Sequence, residues 1–232
     1  MTSRSRTLSG VALMLLIIPI FAGLLACMPV PIGDPERSRI DPDMNGIWAI
    51  LDEDSVSNPG FYIFEPYDKR TWLITGIGIE EGSLVDLDKY DLSTYDGYEK
   101  LATNEEVSAD NFYSDGVVLY KGWLTKLAGE QFFTWEPKGK VDALTDDPEF
   151  WIVFNVSKEN ERSMVLRMVD GESEPFKDIA ETRRAYERVL KKHAKDPEIY
   201  GGADDEYRIE LVRAEGSVLS FLERVADFVI EE

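Results

Sequence analysis

Residues 119–133, Leu-Tyr-Lys-Gly-Trp-Leu-Thr-Lys-Leu-Ala-Gly-Glu-Gln-Phe-Phe, decide the fold. Two apolar, aromatic-rich runs flank Ala128-Gly129, and the pattern reads as strand, tight turn, strand. The same texture recurs on both sides: at 47–51 (IWAIL), 60–65 (GFYIFE), 71–79 (TWLITGIGI), 116–126, 130–136, 150–156 (FWIVFNV) and 163–169 (SMVLRMV). Val, Ile, Phe, Tyr and Trp dominate these runs, as a pleated, half-buried surface prefers. Short turn segments at 66–69 and 158–161 join neighbouring runs, so the connections are antiparallel hairpins of a meander. Residues 80–110 are acidic and tyrosine-rich, edge strand or loop, and 142–149 forms another acidic loop. A meander of this size hides its edges by closing into a barrel or by packing as curved sheet.

The C-terminal quarter changes period. Over 178–194 the residues Ile179, Thr182, Tyr186, Val189, Leu190 and His193 share one helical stripe, and Arg183, Arg184, Arg188, Lys191 and Lys192 occupy other positions. Asp178 and Glu181 fall in the first turn and Lys191, Lys192 and Lys195 in the last, which suits the helix dipole. Asp196-Pro197 ends the helix. Residues 207–212 (YRIELV) read as one more strand, and Ser217 as the cap of a last helix with Val218, Leu222, Val225 and Val229 on one face. The expected fold is therefore mainly β with C-terminal α: an antiparallel meander closing into a barrel or strongly curved sheet, flanked by two helices.

The N-terminus carries a different message. Residues 1–10 hold Arg4 and Arg6 and no acid, and 11–26 hold no charge at all. A basic start, an apolar run and small residues form a secretory signal. Sixteen helical residues span roughly 24 Å, short of the ~30 Å hydrocarbon core, and Pro19 weakens a spanning helix further. Residues 28–45 contain four prolines and little periodicity, which reads as a tether. The expected organisation is a signal peptide at 1–26, a Pro-rich tether at 27–45, a β domain at 46–170, and C-terminal helices with one strand at 171–232, packed on the β domain.

Composition bounds the function. The chain carries −20, and loss of 1–26 removes two arginines and no acid, leaving about −22. Such a surface repels nucleic acid. Apolar content of 44% supports a real core, and a lone cysteine rules out an internal disulfide. The sole histidine, His193, lies on the apolar stripe, so no two-histidine metal site exists and a packed helix histidine is expected. No Gly-x-Ser-x-Gly motif or glycine-rich phosphate loop occurs, and Gly76-Ile77-Gly78 reads as strand. Asp52-Glu53-Asp54 and Asp146-Asp147 lack the spacing of a calcium loop and read as solvated faces. No cofactor and no metal are expected. The one local contrast is 177–195, with seven Lys/Arg against three Asp/Glu. It either pairs with the acidic barrel or offers Arg183, Arg184 and Arg188 as a docking face for an anionic partner.

Two resemblances sharpen these expectations. Leu24-Leu25-Ala26-Cys27, at the end of the apolar run, resembles the lipobox of bacterial lipoproteins. It implies cleavage before Cys27, acylation of its thiol and its new amino group, and a membrane-anchored protein of the cell envelope. Met28 in place of Asp after the cysteine implies the outer membrane, facing the periplasm. Asn45-Gly46-Ile47-Trp48 resembles the Gly-X-Trp start of lipocalin-like barrels, in which the tryptophan plugs the barrel floor. That likeness implies a non-catalytic carrier of a small apolar ligand, its cavity lined from Trp48, Tyr62, Phe64, Trp72, Trp123 and Trp151. The alternative is a protein-interaction or assembly module of the envelope with a filled core, and a hydrolase is the third reading.

Overall fold

The computed structural model describes residues 27–51, 60–79, 114–140, 150–202 and 207–214, with Lys89 and Lys100. Eight antiparallel strands form a closed barrel in sequence order: β1 (Gly46–Leu51), β2 (Gly60–Pro66), β3 (Trp72–Ile79), β4 (Ser114–Leu127), β5 (Glu130–Lys140), β6 (Ile152–Lys158), β7 (Ser163–Met168) and β8 (Arg208–Ala214). Pairing of Ile47 with Ala214 through Leu51 with Glu210 joins β8 to β1 and removes both edges. Connections 52–59, 80–113 and 141–149 leave one end, here called upper; the short turns lie at the lower end. The hairpin at 119–133 turns on two residues with positive φ, Ala128 (54°) and Gly129 (92°), the geometry whose twist matches paired strands.

Side-chain alternation splits the apolar residues between two cores. Inside the barrel pack Trp48, Phe64, Trp72, Ile74, Leu124, Phe133, Trp135, Phe154, Val156, Met164, Leu166 and Leu211, with Met44 entering from below. One rung across the wall runs Trp72–Gly122–Trp135–Ile152. A Cβ on Gly122 would stand 2.5 Å from Ile74 Cδ1 and 2.7 Å from Phe133 Cε2. The missing side chain is the space in which these rings meet.

The floor is latched by hydrogen bonds. Trp48 Nε1 donates to Met44 O (2.9 Å) and Trp72 Nε1 to Asn45 Oδ1 (2.9 Å). The Arg213 guanidinium lies 4.6 Å from the Trp48 ring centroid and donates to Asn45 O (2.7 Å) and to Asp43 O. A cation over an indole face, held there by backbone carbonyls, adds to the seal.

The outer core lies on β5 and β6, where Phe132 and Val153 cluster with Tyr186 and Leu190 of α1 (Arg183–His193) and Ala194 at its C-cap, with Phe176, Ile199 and Tyr200. Phe176 and Tyr186 stack at 5.3 Å.

Three expectations change. The tether is no tether: Met28, Ile32 and Met44 are fully buried. Met28 exchanges backbone hydrogen bonds with Trp151 (2.8 and 2.9 Å), and Ile32 O accepts from Trp123 Nε1 (2.8 Å) and Thr134 Oγ1 (2.9 Å). Pro35 and Pro42 open short 3₁₀ turns capped by Asp34 and Asp41, the position where a missing N–H costs nothing. Gly33, at φ +77°, lies so close to β4 that a Cβ would reach 1.7 Å from Thr125 Oγ1. Second, the division at 170/171 fails, because β8 completes the barrel. Third, α1 begins at Arg183 and not at Asp178. Asp178 is left-handed (φ 57°), and Thr182 caps the helix through Ala185 N (3.3 Å), so no acid occupies the first turn. Among the elements described from end to end α1 is the one α-helix; the helix expected from Ser217 and the signal at 1–26 lie outside the described residues.

Gly122→Ala is expected to destabilise the barrel by about 1–3 kcal/mol through overpacking. Ile74→Val, which deletes the clashing Cδ1, recovers part of that loss in the double variant, measured by denaturant titration. Additive effects of the two changes would refute this account.

Candidate functional site

The barrel interior is not uniform from end to end. In its lower half the side chains are fully buried and the rings lock edge to face: Trp72 on Phe133 (5.4 Å), Phe64 on Phe133 (5.7 Å), Phe133 on Trp135 (5.6 Å). Above them a second layer is only partly buried: Ile50, Tyr62, Tyr120, Ile152, Met168 and Ile209, from six of the eight strands. All six are uncharged.

Trp135 sits at the boundary between the halves. Tyr62 meets it edge-on at 5.0 Å, Tyr120 is tilted at 5.2 Å, and Phe154 supports it at 4.8 Å. The residue is 1% exposed, and its Nε1–H is buried without a hydrogen-bond partner among the described residues. A buried indole N–H left unpaired costs the desolvation of a donor, about 1–3 kcal/mol. At Gly76 of β3 the missing side chain is space that neighbours occupy: a Cβ there would press on Val118 Cγ2 at 2.9 Å and Tyr62 Cε1 at 3.1 Å.

Electrostatics keep this layer neutral. Burial, and then the neighbouring Tyr120, push the Tyr62 phenol well above the ordinary range. Burial, and then Cys27, raise Tyr120. Cys27 is close enough to be felt there because Met28 is bonded to Trp151 at the upper start of β6. Burial raises the Cys27 thiol to about 11. At neutral pH the two phenols are donors, and none of the three groups is an anion.

The expected lining residues are thus dispersed. Trp48, Phe64 and Trp72 belong to the packed lower half. Trp123 alternates with the inward-facing Gly122 and Leu124, so it faces out and bonds the N-terminal segment. Trp151 precedes the inward Ile152 and stands on the outer wall against Met28. Tyr62 alone of the six belongs to the partly buried layer. Trp135, Tyr120, Ile152, Met168 and Ile209 were not singled out, although their period-2 placement beside Phe133 and Phe154 is present in the sequence.

The basic face of α1 is also divided. Arg183 Nη1 donates to Gly33 O (2.8 Å) and so holds the N-terminal segment. Lys195 pairs weakly with Glu130 at 3.8 Å. Arg184 and Arg188 are exposed. His193 is partly buried with Nδ1 3.2 Å from Asp196 Oδ2. The Glu198 N–H, and then His193, hold the Asp196 carboxyl below its ordinary range. This is a local cap at the end of α1. Among the described residues no three His, Cys, Asp or Glu converge as metal ligands, and no helix is long and apolar enough to cross a membrane.

A chain whose Cys27 thiol is unacylated is expected to react slowly with iodoacetamide at pH 8, because its raised pKa leaves only a trace of thiolate. The rate should climb until the pH passes about 11. Alkylation at pH 8 as fast as a small-molecule thiol of ordinary pKa would contradict the buried setting.

No protein-family model, no curated protein and no solved structure matches this chain.

Proposed function

We propose that the chain is an acylated lipoprotein of the cell envelope whose lipocalin-like barrel carries one small, neutral, largely apolar ligand in its upper half. The observation that carries the binding reading is the partly buried, uncharged layer above a sealed aromatic floor. An eight-stranded barrel is just wide enough either to be filled by side chains or to hold one small ligand. Here the lower half is filled; the upper layer is the part where a guest would gain contact. A ligand with one acceptor oxygen would complete the unpaired Trp135 N–H, and the neutral phenols of Tyr62 and Tyr120 suit an uncharged guest better than an anion.

The anchoring part of the proposal rests on the sequence: the apolar run, the basic start and the cysteine that ends it. The raised thiol pKa disfavours Cys27 as a nucleophile for catalysis and is compatible with its acylation. We place the protein at the outer membrane, facing the periplasm, with no cofactor and a non-catalytic role.

Binding is tested with the neutral apolar dye N-phenyl-1-naphthylamine, following dye emission on excitation of tryptophan. Saturable binding is expected, and Ile209→Trp, which fills the upper layer, should weaken it at least about tenfold, the equivalent of losing one good apolar contact set. An unchanged titration in a variant of unchanged melting temperature would overturn the carrier reading and favour a filled interaction module.

Anchoring is tested separately by feeding cells labelled palmitate. Label on the wild-type chain and none on Cys27→Ser is the expected result; label on both would remove the lipobox reading without touching the first test.

A further inference from the structure

We infer that the outer surface carries a second binding site, a basic groove that takes a ligand with two or more phosphate groups. The groove lies near the lower end of the barrel, where the docked N-terminal segment, β4 and the start of α1 converge. It consists of two hollows, of about 460 and 350 Å³, that share Arg37, Leu124, Thr125 and Lys126. The larger adds Arg183 and Arg184; the smaller adds Arg39. Five cations from three separate elements therefore surround one trough on a chain of net charge −20.

The acids in the groove are already engaged. Asp34 accepts from Glu36 N (3.0 Å) and lies 3.6 Å from Arg37 Nε. Glu187 Oε1 accepts from Gly33 N (3.2 Å). Arg39, Lys126 and Arg184 have no hydrogen-bond or ion-pair partner among the described residues. Much of the acidic excess falls in 52–59, 80–113 and 141–149, which together hold seventeen Asp/Glu against two Lys. Arg39, Lys126 and Arg184, which the described residues leave without a counter-charge, keep a strong local potential.

The geometry favours phosphate among anions. Arginine forks present paired N–H donors that match a phosphate's oxygens, and Lys126 adds a point charge. The start of α1, a helix of eleven residues, lines the larger hollow through Arg183, Arg184 and Glu187, and the positive end of its dipole adds to the arginines there. A single carboxylate would leave most of these donors unused. The two connected hollows, each with its own arginine besides the shared Arg37, call for more than one phosphate. This site is independent of the barrel interior and of acylation.

The test uses the full chain in detergent and inorganic tripolyphosphate as probe, by titration calorimetry at fixed ionic strength. Saturable binding is expected. The pair Arg184→Glu and Lys126→Glu should weaken it at least about tenfold, the effect of losing charge-assisted hydrogen bonds. Both residues are exposed and outside both cores, so melting should not change. The control pair Arg188→Glu and Lys191→Glu alters net charge equally on the same helix outside the groove, and should weaken binding less than about twofold under salt screening. Absence of saturable binding, equal loss in both pairs, or equal affinity for citrate or an oligoglutamate peptide would each overturn the proposal.

Discussion

Closure of β8 on β1 is the constraint from which the rest follows. It turns a meander with two exposed edges into a wall, and it fixes how much aromatic volume the wall must enclose. Four tryptophans and four phenylalanines are essentially without solvent contact: Trp48, Trp72, Trp123, Trp135, Phe61, Phe64, Phe132 and Phe133. Five of these eight, Trp48, Trp72, Trp135, Phe64 and Phe133, pack inside the barrel, and the other three do not. Alternation sends Phe61, Trp123 and Phe132 outward, and Gly122 vacates the point where Ile74 and Phe133 meet. Closure thus demands a second, outer layer, because large apolar residues on the outside of a wall need a cover. For Trp123 and Phe132 the N-terminal segment and α1 are that cover.

The strands were legible in the sequence because each hairpin is local. Turn residues stand between β-rich runs, and pairing of neighbours needs no information from far along the chain. What was illegible is long-range. Residues 27–45 look like tether because prolines break any period. Their docking depends on isolated residues, Met28 and Ile32 above all, finding partners more than a hundred positions away in Trp151 and Thr134. The closing partnership of β8 with β1 was likewise invisible: 207–212 read as one strand among helices, and nothing local says which edge it joins. The start of α1 was misplaced because a continuous apolar stripe from Ile179 hides the left-handed Asp178 and the capping Thr182.

The candidate site shows the same division. Aromatic residues on β-rich runs are easy to nominate as lining. Which wall each one faces follows from alternation within its strand, and Trp123 and Trp151 stand one position out of phase with inward neighbours. The signal that would have found Trp135 was available, since it follows the inward Phe133 by two. Its unpaired N–H was not, because that is a property of the surrounding rings. In the same way Arg183 and Arg184 were conspicuous as part of a basic helix, whereas Arg37, Arg39 and Lys126 became part of the same feature only when the N-terminal segment folded back along β4.

Docking of that segment also carries a consequence for orientation. Between Cys27 and the barrel there is no slack: Met28 is fully buried and bonded to Trp151 at both backbone atoms. An acyl group on Cys27, as proposed, would therefore emerge beside the upper layer of the barrel, within electrostatic reach of Tyr120. A flexible tether would let the barrel tumble beneath its anchor; a welded one fixes which end meets the bilayer. The upper end, where a neutral apolar guest would enter, would face the source of apolar molecules, and the basic groove, near the turn at Ala128-Gly129, would face away from it. The two proposed sites would then stand on opposite sides of one rigid wall, each toward the medium in which its own kind of ligand is found.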